Sequence, residues 1–332
     1  MTFPSKTEMR SGLSEIAPGL AICLIVAAAA RFLSEHYGAP QMLFALLLGM
    51  ALHFLTEEGP SAAGVDFAAR VMLRIGVALL GVRITFVQVT ALGWPAVIWM
   101  TLGIAATIGV GVAIARASNR GTAFGVLSGG AVAICGASAA MAIAALLPRG
   151  KEQERDTILV VVSVTALSTV AMIVYPMIVG VFGLDPRQSG IFLGGTIHDV
   201  AQVVGAGYSM SDQTGDTATI AKLFRVAMLM PVVLIIGLMT RGSGTGRGAP
   251  IPLFVLGFAG LVVVNSFGVI PAVAIDWITT VSGWCLVTAI AALGIKTSLK
   301  ALFEVGSIPL LALVGETVFL ALWVGLGIWF GI

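Results

Sequence analysis

Hydrophobic residues in this chain run in long blocks divided by short polar punctuation, with little of the alternation that marks half-buried soluble elements. Eleven blocks can be drawn, at 15–33, 39–55, 69–90, 92–115, 121–147, 156–182, 188–208, 215–240, 250–268, 273–299 and 305–331. Most are about 17–25 residues long, enough to cross a hydrocarbon core of about 30 Å as helix. Pro40, Pro95, Pro148, Pro186, Pro252, Pro271 and Pro309 fall at or near block edges. The pattern predicts an all-α polytopic membrane protein with about 9–11 transmembrane helices. A polar N-terminal tail over 1–14 precedes a single transmembrane domain over 15–332. The one flexible connection of any length is Arg241–Pro250, on the cytoplasmic side.

Composition agrees. Hydrophobic residues make up 58% and charged residues 10%, too few charges to cover a soluble surface. A net charge of +2, with bases scattered over short loops, gives no nucleic-acid footprint. Cys23, Cys135 and Cys285 lie in apolar segments without metal-ligand spacing, so neither a disulfide framework nor a metal site is expected. Ile16–Leu33 resembles a signal peptide in isolation, but ten further apolar blocks make it the first membrane helix.

Orientation follows from the bases of short loops. Placing Lys6 and Arg10 inside also places Arg116, Arg120, Arg241, Arg247, Lys296 and Lys300 inside, whereas Arg149, Lys151 and Arg155 fall outside if every block spans once. Two arrangements remove the conflict. Block 121–147 enters and leaves on one side as a broken re-entrant hairpin, with 188–208 re-entrant from the opposite side. Alternatively Glu152, Glu154 and Asp156 neutralise the loop and each block is one interrupted spanning helix. In both, two interrupted elements meet near the midplane, where non-helical backbone must be buried in protein or face water.

Two weak internal repeats support this. Arg74–Thr85 resembles Val287–Ser298, each carrying Leu-Gly, an aliphatic residue and a base (Arg83, Lys296). Ser128–Ser138 resembles Leu193–Gly205, each opening near a Gly-Gly pair. Paired broken segments in two halves point to the substrate site of an inverted-repeat transporter, although glycine coincidence alone could produce the likeness.

The candidate chemistry lies on those segments. Gly129, Gly130, Gly136 and Ser138 would let a helix unwind and offer free N–H groups to an anion; the plainer alternative is close helix packing. Cys135, Gly194, Gly195, Thr196 and Gln202 complete the substrate-binding set. His198 and Asp199 form a candidate proton-handling pair at membrane depth. Lys222 and Arg225 would face Asp199, line the path, or anchor a helix at the interface. Arg83 and Lys296 would balance an anion or snorkel. Glu316, with no charge within ten residues on either side, is a candidate proton site, and Asn265 a weaker polar one. No HExxH, Walker A or TVGYG-like sequence occurs, which excludes those chemistries; no enzyme chemistry and no cofactor are implied.

SGGAVAICGASA (128–139), GGTIHDVAQVVGAG (194–207), ATIAKLFR (218–225), ALGIKTSLKAL (292–302) and RIGVALLGVRIT (74–85) resemble the signature stretches of the YeiH-type (UPF0324) family, whose members are labelled sulfate exporters. That resemblance covers essentially the whole chain. It implies a bacterial inner-membrane secondary carrier, distantly similar to inverted-repeat transporters of the sodium/proton-antiporter and bile-acid-carrier type. The substrate it implies is sulfate or a small organosulfur anion; on the reading of His198 and Asp199 above, H⁺ or Na⁺ would be the coupled ion. A proton or sodium antiporter using Asp199 without an anion is the main alternative, followed by a non-transporting membrane protein. Whether the chain forms a homodimer stays open.

Overall fold

The computed structural model describes residues 6–37, 41–56, 60–148, 150–239, 253–297 and 307–332. Pro40, Arg149, the Arg241–Pro250 connection with Arg241 and Arg247, Pro252, Ser298 and Lys300 lie outside the described residues. Among the described residues every regular element is helical. Among the described residues, six helices are long and apolar enough to cross a membrane: Glu15–Tyr37, Trp94–Ala117, Lys151–Val181, Asp212–Met239, Ala272–Lys296 and Pro309–Trp329. Three apolar stretches are shorter, Gln41–Ala51, Gly121–Ala133 and Leu256–Ser266. The chain is therefore a helical membrane protein, and several blocks that look alike in sequence are not uninterrupted spans.

Two compact units form. The first comprises residues 1–85 and 256–298, the second 86–255 and 299–332. In the first, α1 (Lys6–Tyr37) already begins within the polar tail, so 6–14 continue the first membrane helix as backbone. It packs with α2 (Gln41–Ala51), α3 (Ala62–Phe67) and, later in the chain, α15 (Ala272–Lys296), and α15 packs in turn on α4 (Leu73–Leu80). Block 69–90 is not one span. A π-turn over Ala68–Met72, α4, a 3₁₀ turn over Gly81–Arg83, extended Ile84 and the short α5 (Phe86–Thr90) follow one another, and the unit boundary falls between 85 and 86. The core gathers Cys23, Val65, Ala68, Ala69, Ala292 and Ile295. Small residues set how closely these helices approach. A Cβ on Gly49 would lie 2.3 Å from Ala291 O, and one on Gly294 2.3 Å from Leu46 O, so α2 and α15 touch backbone to backbone. Asn265, on α14 (Leu253–Ser266), donates to Ile84 O at 3.4 Å. The repeat noted around Arg83 and Lys296 has a local counterpart: both helices stop at the base, and the next residues, Ile84 and Thr297, are extended.

The second unit contains α6 (Trp94–Ala117), α7 (Gly121–Ala133), α8 (Ala137–Ala144), α9 (Lys151–Val181), α10 (Pro186–Thr196), α11 (Val200–Met210), α12 (Asp212–Ala227), α13 (Leu229–Met239) and α16 (Ser307–Trp329). Helices α6 and α16 are clamped by Trp99 and Trp323. Their rings stack at 4.8 Å, and each indole N–H donates to the other's backbone carbonyl, at 2.8 and 3.1 Å.

Both interrupted blocks are hairpins. A Cβ on Gly130 would lie 2.2 Å from Ile143 Cδ1, although thirteen residues of straight helix would separate them by about 20 Å. The arm α8 therefore folds back along α7. At the open end Arg120, before α7, pairs with Asp156 on α9, and Gln153 donates to Ala144 O at 2.7 Å. A cavity of about 240 Å³ lies there, lined by Arg120, Phe124, Leu147, Gln153 and Asp156 among others. Start and finish of block 121–147 thus sit together, with Asp156 neutralising Arg120. The second hairpin behaves alike. Gly190 near its start packs on Thr214 and Thr217, and Gly207 near its end packs on Gly215, all in the first turns of α12. Its first arm starts where it does because Pro186 follows a capping box: Asp185 accepts from Gln188 N–H, and the Gln188 side chain accepts from Asp185 N–H.

Polarity is distributed for a lipid solvent. Ile25, Trp94, Val181 and Phe182 are exposed, whereas Ser128, His198, Gln202, Lys222, Arg225 and Glu316 are buried.

Candidate functional site: two helix breaks joined by buried cations

The first break runs over Ile134–Gly136. Ile134 leaves helical geometry (φ −115°, ψ −84°), and Gly136 takes φ +62°, which side chains disfavour. The second, over Ile197–Asp199, is made of extended residues, with φ −61° and ψ 139° at Ile197, and needs no glycine. Breaking a helix leaves carbonyls on one side and N–H groups on the other without partners. The site is the set of groups that meet this demand.

The carbonyls are met by α12. Lys222 Nζ donates to Ile134 O at 2.7 Å and Ile197 O at 2.9 Å, one from each break. Arg225 donates through Nε to Ala133 O (2.9 Å), through Nη1 to Gly194 O (3.0 Å) and Ile197 O (3.1 Å), and through Nη2 to Val132 O (2.8 Å). Lys222 is 0% and Arg225 1% exposed, and they are the two largest wholly buried side chains. Their charge meets the negative ends of two half-helix dipoles. The spacing i, i+3 puts both bases on one face of α12, so one helix serves both hairpins.

The breaks also hold each other. His198 is buried, with Nδ1 3.2 Å from Val132 O and Nε2 3.1 Å from Thr317 Oγ1 on α16. A carbonyl only accepts, so Nδ1 carries the hydrogen, and in the neutral ring Nε2 accepts from Thr317. Ser168 Oγ on α9 accepts from His198 N–H at 3.2 Å and Asp199 N–H at 3.0 Å. Gln202 Nε2 donates to Thr169 Oγ1 at 2.8 Å.

The two amino-terminal ends differ. That of α11 is capped by Asp199, whose Oδ1 accepts from Ala201 N–H at 2.8 Å. That of α8 has no side-chain cap, and Ser138 in its first turn is exposed. Ser138 Oγ reaches back to Cys135 O at 3.2 Å and Cys135 Sγ at 3.4 Å.

Several assignments made on sequence grounds change. Gly129, Gly130, Gly194 and Gly195 lie inside helices rather than at the breaks. A Cβ on them would press on Ile108, Ile143, Ala218 O and Val324 respectively, so they serve close packing. Thr196 bonds back to Phe192 O of its own helix at 2.6 Å. His198 and Asp199 are adjacent in sequence, but their side chains serve different partners. Among the described residues no ion pair joins Asp199 to Lys222 or Arg225; the bases bind carbonyls instead. Lys296 belongs to the other unit and pairs with half-exposed Asp66. Cys135 and Gly136 do stand at a break, and Glu316 does meet a hairpin: Ser128 Oγ donates to its Oε1 at 2.7 Å. Ser128, Ser168, Thr169 and Thr317 are the residues the sequence reading missed. Their only signal is hydroxyls in long apolar helices, which most often bond to their own backbone.

Helical spans around two broken hairpins, with polar groups turned inward, define a polytopic membrane protein with a built interior site. Residues 18–313 match the family described as Conserved hypothetical protein 698. A UPF0324 membrane protein of Chlorobaculum tepidum is 56% identical over 92% of this chain and 87% of its own length. UPF0324 membrane protein TauZ of Paracoccus denitrificans is 54% identical over 96% of each chain, and one from Rhizobium meliloti 50% identical over 98% of each. The chain belongs to the UPF0324 membrane protein family.

Proposed function

We propose that this protein is a secondary transporter of the bacterial cytoplasmic membrane that carries a small anion, with sulfate or an organosulfur anion as the substrate class and export as the direction. The observation that carries this reading is the filling of both break carbonyl ends by Lys222 and Arg225. A mobile sodium ion at such a crossing takes carbonyl oxygens as ligands; here two fixed cations already hold them. What remains is the uncapped first turn of α8, with Ser138 beside it and buried positive charge behind it. Those groups favour an anion. At α11 the same role is taken internally by the Asp199 carboxylate.

The two hairpins, each with its ends close together, support a reading as re-entrant segments of an inverted-repeat carrier. On this reading Gly136 and Cys135 shape the anion site, and the packing glycines hold its walls. Proteoliposomes carrying purified protein test it: labelled sulfate and methanesulfonate should exchange across the membrane with saturation. Sodium or proton movement that no anion alters would reject the anion reading in favour of a cation antiporter.

A further inference from the structure

Glu316 is 0% exposed, on a helix of mean composition apolar enough to span the bilayer. One carboxyl oxygen accepts from Ser128; the other, Oε2, has no hydrogen-bond partner among the described residues. Thr107 Oγ1 on α6 is also buried and unpartnered. The two belong to one locality. A Cβ on Gly111, one turn beyond Thr107, would lie 2.9 Å from Glu316 Oε1, and one on Gly129, next to Ser128, would lie 2.9 Å from Thr107 O. One oxygen of this buried carboxyl has a donor and the other has no partner, so an ionised carboxylate there lacks a second donor and a protonated Oε2 lacks an acceptor. Thr107 Oγ1, a hydroxyl that can donate or accept, lies in the same locality.

The helices packed on α16 are α6, α7, α9 and α10. Their charged groups are engaged or directed elsewhere: Arg116 on α6 is exposed, those at the start of α9 surround the Arg120–Asp156 pair, and Arg187 on α10 binds Ala91 O and Leu92 O. Tyr175 on α9 lies against the Phe192 ring. α7 carries no charged residue. Among the described residues, the titratable group hydrogen-bonded to this turn of α16 is His198, through Thr317. Residues 316 and 317 thus touch both hairpins, Ser128 on the first arm of one and His198 at the break of the other.

We propose that Glu316 is the proton-binding group that couples anion movement to the proton gradient, and that Ser128 is a positioning residue through which its protonation is felt by the first hairpin. The carboxylate takes a proton from water on one side and returns it on the other, with no further reactant. This rests on the transporter reading above, and the test separates the two. In proteoliposomes, labelled sulfate and methanesulfonate are followed in two modes: exchange at equal anion concentration and pH on both sides, and accumulation driven by a pH gradient. Glu316→Gln, close to isosteric, should retain exchange within about threefold and lose gradient-driven accumulation by tenfold or more. Ser128→Ala should retain coupling with a displaced pH profile. Retained accumulation in Glu316→Gln would overturn the proposal while leaving the transporter reading intact. Loss of both modes in a monodisperse Glu316→Gln preparation would also overturn it, since the residue would then serve translocation itself. Accumulation in the wild type driven by sodium rather than by protons would do the same. Failure of the wild type to exchange either anion would reject the transporter reading from which the proposal starts.

Discussion

Replacing Arg225 by methionine keeps most of the side-chain volume and removes every donor. Four hydrogen bonds disappear. Val132 O keeps His198 and Ile197 O keeps Lys222, so Ala133 O and Gly194 O are the carbonyls left bare. An orphaned buried acceptor costs about 1–3 kcal/mol, hence about 2–6 kcal/mol for the two. Exchanging a buried ion for an apolar group returns about 1–4 kcal/mol. Losing a cation from two converging half-helix ends costs up to about 2 kcal/mol more. The net expectation is a loss of about 3 kcal/mol, or roughly 100-fold in the local opening equilibrium. Hydrogen exchange reads this where it arises. The amides of Ile134, Gly136 and Ile197, bonded to Gly130 O, Ala131 O and Leu193 O, should exchange about 100-fold faster in Arg225→Met, with amides of α1 and α15 unchanged. Unaltered exchange at both breaks would refute the view that Arg225 satisfies them.

Other perturbations separate strain from crowding. Gly136→Ala has room for its methyl group, whose nearest atoms are at 3.6 Å or beyond, so its cost is the backbone conformation alone (φ +62°, ψ −125°); about 1–3 kcal/mol of thermal stability should be lost. Gly294→Ala drives a Cβ to 2.3 Å from a backbone oxygen of α2 and should abolish the monodisperse peak in detergent, while Gly283→Ala, with nothing within 4 Å, should be neutral or slightly stabilising. Lys296→Ala removes an ion pair whose partners are both more than a third exposed and should change stability by less than about 1 kcal/mol, measured as thermal unfolding.

The apolar blocks declare a helical membrane protein because lipid demands long runs of the same kind of residue. They do not declare continuity, since a run such as 69–90 stays equally apolar through a π-turn, a 3₁₀ turn and the extended Ile84. The breaks were legible as neighbourhoods, through Gly136 and the His198–Asp199 polar pair. Their positions were less so: Gly-Gly is silent on whether a missing side chain frees the backbone or admits another helix, and at all four such positions it admits another helix or its side chain. Lys222 and Arg225 stand out as charges in an apolar helix, where facing Asp199, lining a path and anchoring at the interface are all open on sequence grounds. Their actual partners are main-chain carbonyls, which every residue possesses and no sequence letter marks. The hydroxyls of Ser168 and Thr317 became significant only when the fold placed them opposite the breaks.

The transporter reading requires an anion at the uncapped first turn of α8. All three native cysteines are buried, so Ser138→Cys introduces an exposed thiol beside that turn for maleimide labelling in proteoliposomes. An anion bound there shields the thiol, so sulfate or methanesulfonate should slow labelling in a saturable way, while sodium should not. Labelling indifferent to both anions, in a preparation that still exchanges them, would contradict it and place the anion elsewhere in the protein.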